Sequence, residues 1–349
     1  MKAKKSILRI TKILFSTALA IVFALSIFGC VEKNIRRYAD AKKLDFGVAV
    51  RPSDMLYPER AELLADHFNI LVAENTMKMQ YLRPNPTFWN WSDIDQLINF
   101  AEEHKMKIKG HTFIWHSQNS GFVSSLNTRE DALKVLRETI TETLTRYKGR
   151  IAEYDICNEI FEENGTLRDS VWMRTIGPEY VDIAFQTARE ADPSVKLLLN
   201  DYNNEYAGTA KADAFYNLVK SMVERGIPID GVGFQMHMIA KDPIKEAALI
   251  ANIRRFNDLG LTVSFTEVDV RIQMPVTPEK EAEQEAAYKT LLRIAMEEPN
   301  VKSFILWGYT DLQSWIPATF GGYGSAHLFD DKFQPKPLYY TLMDMIKAK

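Results

Sequence analysis

Eight short apolar runs recur along this chain, each followed by a longer amphipathic or polar segment, and that alternation most restricts the fold. The runs are Phe46–Val50, Ile70–Ala73, Ile108–Thr112, Tyr154–Asn158, Lys196–Asn200, Gly231–Gln235, Val263–Glu267 and Phe304–Trp307. Short apolar runs bounded by polar residues read as buried strands. Between them lie helical patterns such as Arg129–Tyr147, Ala210–Glu224 and Glu279–Glu297. In the first of these, Ala132, Leu133, Val135, Leu136 and Ile140 repeat close to helical period. Strand and helix in eightfold alternation predict an α/β fold, a (β/α)8 TIM barrel forming a single catalytic domain over residues 40–349. The structural alternative is an open doubly wound sheet. It calls for a glycine-rich phosphate turn after an early strand, and Phe46-Gly47 opens none.

Composition bounds the partners. Of 349 residues, 46% are hydrophobic and 26% charged, enough to bury a large core, so disorder is excluded as the dominant state. A net charge of −3 leaves no basic excess for phosphates, which argues against a nucleic-acid partner. Cys30 and Cys157 are the two cysteines, too few for a disulfide scaffold or a cysteine zinc site. Cys157 lies in a predicted core strand and is not expected to pair with Cys30. Residues 1–30 carry five basic side chains and no acidic one, and Ile13–Gly29 is an uncharged apolar stretch of 17 residues. That pattern is an export signal, slightly short for a membrane span. It ends Ser26-Ile27-Phe28-Gly29-Cys30, which resembles a bacterial lipoprotein processing site and makes Cys30 a lipidation candidate. An uncleaved anchor and plain secretion are the alternatives. All three put the body outside the cytoplasm. A cell-surface or periplasmic lipoprotein is favoured over free secretion, with membrane attachment through the N-terminus only. Residues 31–39 read as a short N-terminal segment.

Polar residues gather where the strands end, which is where a barrel carries its chemistry. The second run ends in Glu74-Asn75, with Lys78 beyond. The third leads into His111, Trp115 and His116, and the fourth ends in Asn158-Glu159. The fifth ends in Asn200-Asp201-Tyr202-Asn203, and the sixth in Gln235, with His237 two residues on. The seventh ends in Glu267 with Asp269 after it, and the eighth in Trp307 with Asp311 and Trp315 after it. There is no G-x-S-x-G elbow and no phosphate cradle. His111 and His116 stand five apart, on opposite faces of an extended segment, so no shared metal and no cofactor are expected. Carboxylates, amides and indoles dominate, the set that cleaves glycosidic bonds and binds sugars. Glu159 and Glu267 are the natural pair. Read alone, each is a solvated loop-start carboxylate. Asn158 beside Glu159, Asp269 near Glu267, and His237 placed to bridge Glu267 and Asp269 argue otherwise.

Seven stretches together make a resemblance specific. They are Glu74-Asn75-Thr76-Met77-Lys78, Gly110 through His116, Tyr154-Asp155-Ile156-Cys157-Asn158-Glu159, Asn200-Asp201-Tyr202-Asn203, Gly231 through His237, Thr266-Glu267-Val268-Asp269, and Trp307-Gly308-Tyr309-Thr310-Asp311. In this order, from about Asp40 onward, the chain resembles the family 10 glycoside hydrolases, the (β/α)8 endo-β-1,4-xylanases. The resemblance implies retaining hydrolysis of xylan or xylo-oligosaccharides by a monomer, with Glu159 as acid/base and Glu267 as nucleophile. It implies that Glu74, Asn75 and Lys78 grip the non-reducing-side sugars. His111, Asn158 and Gln235 would hold the sugar at the cleavage point, together with His237. Trp115, Trp307 and Trp315 would form apolar walls, and Tyr202 and Asn203 would face the leaving group. His116 and Asp269 would stand behind the residues that touch sugar. Trp172 reads as core, and His67, His104 and His327 as ordinary surface or helix residues.

The chain departs from the family pattern at Met79, Tyr154, Ser120-Gly121 and Ile316, which bears on the outer sugar contacts. Competing readings are a β-1,4-glucanase on the same scaffold, a non-catalytic glycan-binding protein, and a metal-dependent barrel hydrolase.

Overall fold

The computed structural model describes residues 34–348. The export segment, the processing site and Cys30 lie outside the described residues. The strands are β1 (Asp45–Val50), β2 (Ile70–Ala73), β3 (Lys107–Ile114), β4 (Glu153–Asn158), β5 (Lys196–Asp201), β6 (Gly231–Phe234), β7 (His237–Ile239), β8 (Thr262–Gln273), β9 (Val301–Leu306) and β10 (Tyr323–Gly324). Strands β1 to β6 pair in parallel, β6 pairs with β8, β8 with β9, and β9 returns to β1. Closure of that ring makes a (β/α)8 barrel, with the helices outside it.

The strands read as unbroken apolar runs because both of their faces are covered. On β1, Phe46 stacks at 5.9 Å on both Phe68 and Phe304 in the helix-side layer. On the alternate face Ala49 joins Ile70, Val72, Ile305 and Trp307 in a separate cluster that fills the lumen below Trp315. The lumen is not wholly apolar. Buried Lys109 on β3 lies 2.7 Å from Asp155 and 3.1 Å from Glu153 on β4.

Several expectations shift. The seventh run is expected to stop at Glu267, but β8 continues to Gln273, because β7 and β10 give its upper half backbone partners. The sixth ends at Phe234, and His237 opens the separate strand β7. The helix Ile35–Lys42 crosses the expected domain start at 40. Its Ile35 and Ala39 are buried in the same core as the barrel, so packing begins ahead of that boundary. Met79 and Tyr154, where the chain departs from the family pattern, are both buried. Tyr154 stacks on Phe113 at 3.9 Å with an interplanar angle of 6°. Neither lines the cleft at the strand ends, so these two departures repack the scaffold.

Gly110 on β3 faces Tyr154 on β4, and a Cβ at 110 would meet the tyrosine ring at 2.1 Å. Gly110→Ala therefore lowers stability by about 1–3 kcal/mol through overpacking. Thermal denaturation checks this, and an unchanged midpoint would refute the close-approach account.

Candidate active site

The C-terminal ends of the strands enclose a cleft of about 520 Å³. Both candidate catalytic residues and all twelve candidate sugar-binding residues line it. Gln118, Arg271 and Phe320, which the sequence did not single out, line it too.

Glu159 enters the cleft by an unusual backbone. Consecutive residues of a strand point to opposite faces, yet Asn158 and Glu159 both face the cleft. Glu159 has φ of +54°, a left-handed conformation that turns the chain sharply off β4. Such a conformation costs roughly 1–2 kcal/mol in a residue with a side chain. Arg168 holds the turn by donating from Nε to the Glu159 carbonyl at 3.0 Å and from Nη2 to the Phe161 carbonyl at 2.9 Å. The Glu159 amide donates to the Asn200 carbonyl at 2.9 Å.

The Glu159 carboxylate accepts from Trp115 Nε1 at 2.9 Å and from Gln235 Nε2 at 3.1 Å. Trp115 is thus more than the apolar wall expected of it. Its indole fixes one oxygen of the candidate acid. His116 Nδ1 stands 3.8 Å from the same oxygen, behind the residues that border the cleft.

Glu267 is buried and doubly held. Asn200 Nδ2 donates to its Oε1 at 2.7 Å, and His237 Nε2 lies 3.3 Å from Oε2. Asn200 is oriented in turn by Thr266 Oγ1, which donates to Asn200 Oδ1 at 2.7 Å. Asn200 also donates to Asn158 Oδ1 at 2.9 Å, and Gln235 Nε2 reaches the same oxygen at 3.2 Å. An amide relay therefore runs from Glu267 through Asn200, Asn158 and Gln235 to Glu159. With Oδ1 of Asn158 occupied from two sides, its Nδ2 is the group left for substrate. Asn200 opens the Asn200-Asp201-Tyr202-Asn203 motif, whose sequence assigns it no role. Its place in the relay depends on a cross-strand contact that spacing does not reveal.

His237 bridges the two acids as its position suggested. Its Nδ1 donates to Asp269 Oδ2 at 2.8 Å, and Trp315 Nε1 donates to that same oxygen at 3.0 Å. Burial alone would lower the imidazole pKa, but the Asp269 and Glu267 carboxylates outweigh it and hold His237 up at about 10. The ring is therefore a cation at neutral pH, seated between the Glu267 and Asp269 carboxylates. Asp269 is buried behind the cleft.

Across the cleft, His111 Nδ1 meets Asp155 Oδ2 at 2.9 Å. Burial works to raise Asp155, but Lys109 and His111 hold it below the usual carboxylate range. An ionised Asp155 accepts the Nδ1 proton of His111 and leaves Nε2 for a substrate hydroxyl. Lys78 Nζ donates to Gln118 at 2.8 Å and Asn75 at 3.2 Å. Burial lowers its pKa, against the pull of Glu267, Glu74 and Glu159. Glu74 is gripped by Arg51, with Nε and Nη2 donating at 2.6 and 3.1 Å. Trp307 and Trp315 wall the cleft. Asn203 borders it with φ of +54°. Tyr202 accepts on Oη from Arg168 at 2.9 Å, and its ring lies 3.5 Å from Lys211 Nζ.

Among the remaining candidates, Trp172 is fully buried, as core packing requires. Its Nε1 donates to the Trp115 carbonyl at 3.2 Å. His67 ends the helix Pro58–His67 and meets the Tyr339 hydroxyl at 2.8 Å. His327 needs correction. It is fully buried, with Nε2 at 2.9 Å from Ser314 Oγ. A Cβ at residue 308 would meet its ring at 2.9 Å, so Gly308, with φ of +115°, is what lets it pack beneath the Trp307 loop. Nothing local in the sequence marks that contact, which joins residues far along the loop.

The raised His237 value has a consequence for stability. A folded value of about 10 above the ordinary 6.5 means that the protonated ring stabilises the fold. That contribution is complete below about pH 6.5 and is lost as pH rises through about 10. His237→Asn should flatten the fall in melting temperature between neutral pH and pH 10. Parallel curves for the two proteins would contradict this assignment.

The family model for glycosyl hydrolase family 10 matches residues 34–345. Endo-1,4-beta-xylanase B of Thermotoga neapolitana is 33% identical over 339 residues, covering 95% of this chain and 96% of that protein. Endo-1,4-beta-xylanase 1 of Gibberella zeae is 36% identical over 289 residues, covering 80% of this chain and 81% of that one. The crystal structure of xylanase 10B from Thermotoga petrophila RKU-1 in complex with xylobiose superposes with a TM-score of 0.87 at 36% identity, over 90% of this chain and 97% of that one. From its barrel, its cleft and a match that runs nearly from end to end, this chain belongs to glycosyl hydrolase family 10.

Proposed function

We propose that this protein is an endo-1,4-β-xylanase that hydrolyses xylan with retention of configuration, Glu159 acting as acid/base and Glu267 as nucleophile. The observation that carries the reading is the amide relay that ties the two carboxylates into one constellation, with different surroundings for each. Glu267 faces the charged His237 and an amide donor, which suits a group that must attack as an anion. Glu159 is held by an indole and an amide, both neutral donors. That setting suits a group that must carry a proton at the start and lose it later.

The reaction is a double displacement. A xylose unit lies over Trp307 and Trp315, with its hydroxyls toward Asn158 Nδ2, His111 Nε2 and Lys78. Glu267 attacks the anomeric carbon while Glu159 gives its proton to the departing sugar oxygen. The glycosyl-enzyme ester removes the negative charge of Glu267. Deprotonated Glu159 then takes a proton from water, which attacks the same carbon and frees Glu267. Xylan as substrate is supported by family membership and by the xylanase names of relatives that match most of this chain.

Two further readings concern residues 1–30. Their basic start and apolar run support export, and the Gly29-Cys30 step supports lipidation at Cys30 with attachment to a membrane through that end. Fatty-acid labelling of the chain in a bacterial host should be abolished by Cys30→Ala. An unmodified chain that takes up no label would rule lipidation out.

The catalytic assignment is tested by proton NMR of a linear xylo-oligosaccharide during cleavage, where the first anomer released should be β. Glu267→Ala should lose turnover by several orders of magnitude. Glu159→Ala should lose about 10²–10⁴-fold on xylan and far less in the first step on aryl xylosides with good leaving groups. An α first product, or equal losses of Glu159→Ala on both substrates, would overturn the assignment.

A further inference from the structure

Arg271 is a cation in the cleft wall to which neither the proposed chemistry nor the sequence motifs give a task. Residues 267, 269 and 271 alternate onto one face of β8, so Arg271 stands on the nucleophile's face, about 13 Å further along the strand. β7 runs beside it, with Ile239 opposite Arg271. The guanidinium lies over the Phe320 ring at 4.0 Å and near Tyr323 at 5.6 Å. Trp315 packs edge-to-face with Phe320, with ring centroids 5.3 Å apart. Aromatic support fixes the plane of the fork, as a binding group requires.

Its hydrogen-bonding capacity is largely unspent. The one recorded bond runs from Nη1 to the Met238 carbonyl at a long 3.5 Å. Nε is buried with no partner. Among the described residues no carboxylate lies within 4 Å of Arg271, whereas Arg51 grips Glu74 and Arg254 grips Glu298. An aromatic-backed guanidinium without a counter-ion, in a cleft whose other cations Lys78 and His237 already have partners, is a seat for an incoming anion. The xylose main chain is neutral. Any anion delivered to this wall by the polymer must therefore be a carboxylate on a substituent.

We propose that Arg271 recognises a uronic-acid side group carried by the xylan chain, binding its carboxylate against the β7–β8 wall while the main chain occupies the cleft. This rests on the xylanase reading and adds a preference for acidic decoration to it. The guanidinium takes no part in bond breaking. It selects which substituted stretches are held in register for cleavage.

The test compares a linear xylo-oligosaccharide with the same oligosaccharide bearing one glucuronic acid, for the unmodified enzyme, Arg271→Gln and Arg271→Lys. For the unmodified enzyme, added salt should weaken kcat/KM on the acidic substrate more steeply than on the linear one. Arg271→Gln should lower the acidic-to-linear ratio of kcat/KM about tenfold, with the loss in KM, as removal of a charge-assisted bond implies. Arg271→Lys should recover part of the ratio. A ratio unchanged in Arg271→Gln, or an equal loss on both substrates, overturns the proposal. If Arg271→Gln does not fold, the salt comparison on the unmodified enzyme decides, and equal salt slopes overturn it. If the linear substrate is not cleaved at all, the xylanase reading has failed. Calorimetric binding of the two oligosaccharides to the unmodified protein then tests Arg271 separately, with equal affinities counting against it.

Discussion

Burying negative charge is the constraint around which this molecule is arranged. Glu267, Asp269, Asp155 and Asp201 all lie buried near the strand ends, and an isolated carboxylate there would be held ionised only at great cost. Each has a cationic neighbour. His237 stands between Glu267 and Asp269, Lys109 meets Asp155 at 2.7 Å, and Lys211 meets Asp201 at 2.9 Å. The compensation is unequal. Asp155 is held below the carboxylate range, while burial and the charge of Glu159 push Asp201 up to about 7 against the pull of Lys211. The pairing that makes the barrel top stable is the same pairing that differentiates its carboxylates. Glu267 has a cation at its oxygen and Glu159 has neutral donors, so stability and chemistry come from one arrangement.

The barrel makes this possible by bringing together residues that are distant in sequence. The relay draws Asn158 from β4, Asn200 from β5, Gln235 from just past β6 and Glu267 from β8. Parallel pairing sets their heights. The amide of Glu159 bonds to Asn200, and the amide of Glu267 bonds to Gln235, so the two acids are registered by the same ladders that hold the sheet. Side chains mounted on strands in this way lose little precision, which a reaction at a single carbon demands. The left-handed turn at Glu159 and its Arg168 clamp are the local cost of aiming two successive residues into one cleft.

Much of this was legible beforehand. Eight apolar runs of strand length mark the barrel strands because both faces of each are covered. The helix Ala210–Glu224 keeps the boundaries its apolar spacing suggests. The bridging of Glu267 and Asp269 by His237 could be read because residues two apart share a strand face. What escaped was contact between distant elements. Trp115 read as a wall, yet its indole binds Glu159. His327 read as an ordinary histidine, yet it is sealed beneath the Trp307 loop. Met79 and Tyr154 read as changes to the sugar contacts, yet both pack away from the cleft. The upper half of β8 was missed because its strand character depends on β7 and β10 as neighbours.

By itself the sequence determined the alternation of strand and helix, the polar residues at the strand ends and the choice of carboxylates, amides and indoles as the working groups. These follow from local pattern, since periodicity and residue type act over a few positions. Only the tertiary structure decided which donor each carboxylate faces, that Arg271 in the cleft has no carboxylate within 4 Å among the described residues, and how the chain turns at Glu159. Those properties depend on barrel closure, which places strands distant in the chain within hydrogen-bonding range and strips water from the groups between them. Charge and burial then fix the state of each group, and neither is a property of any residue taken alone.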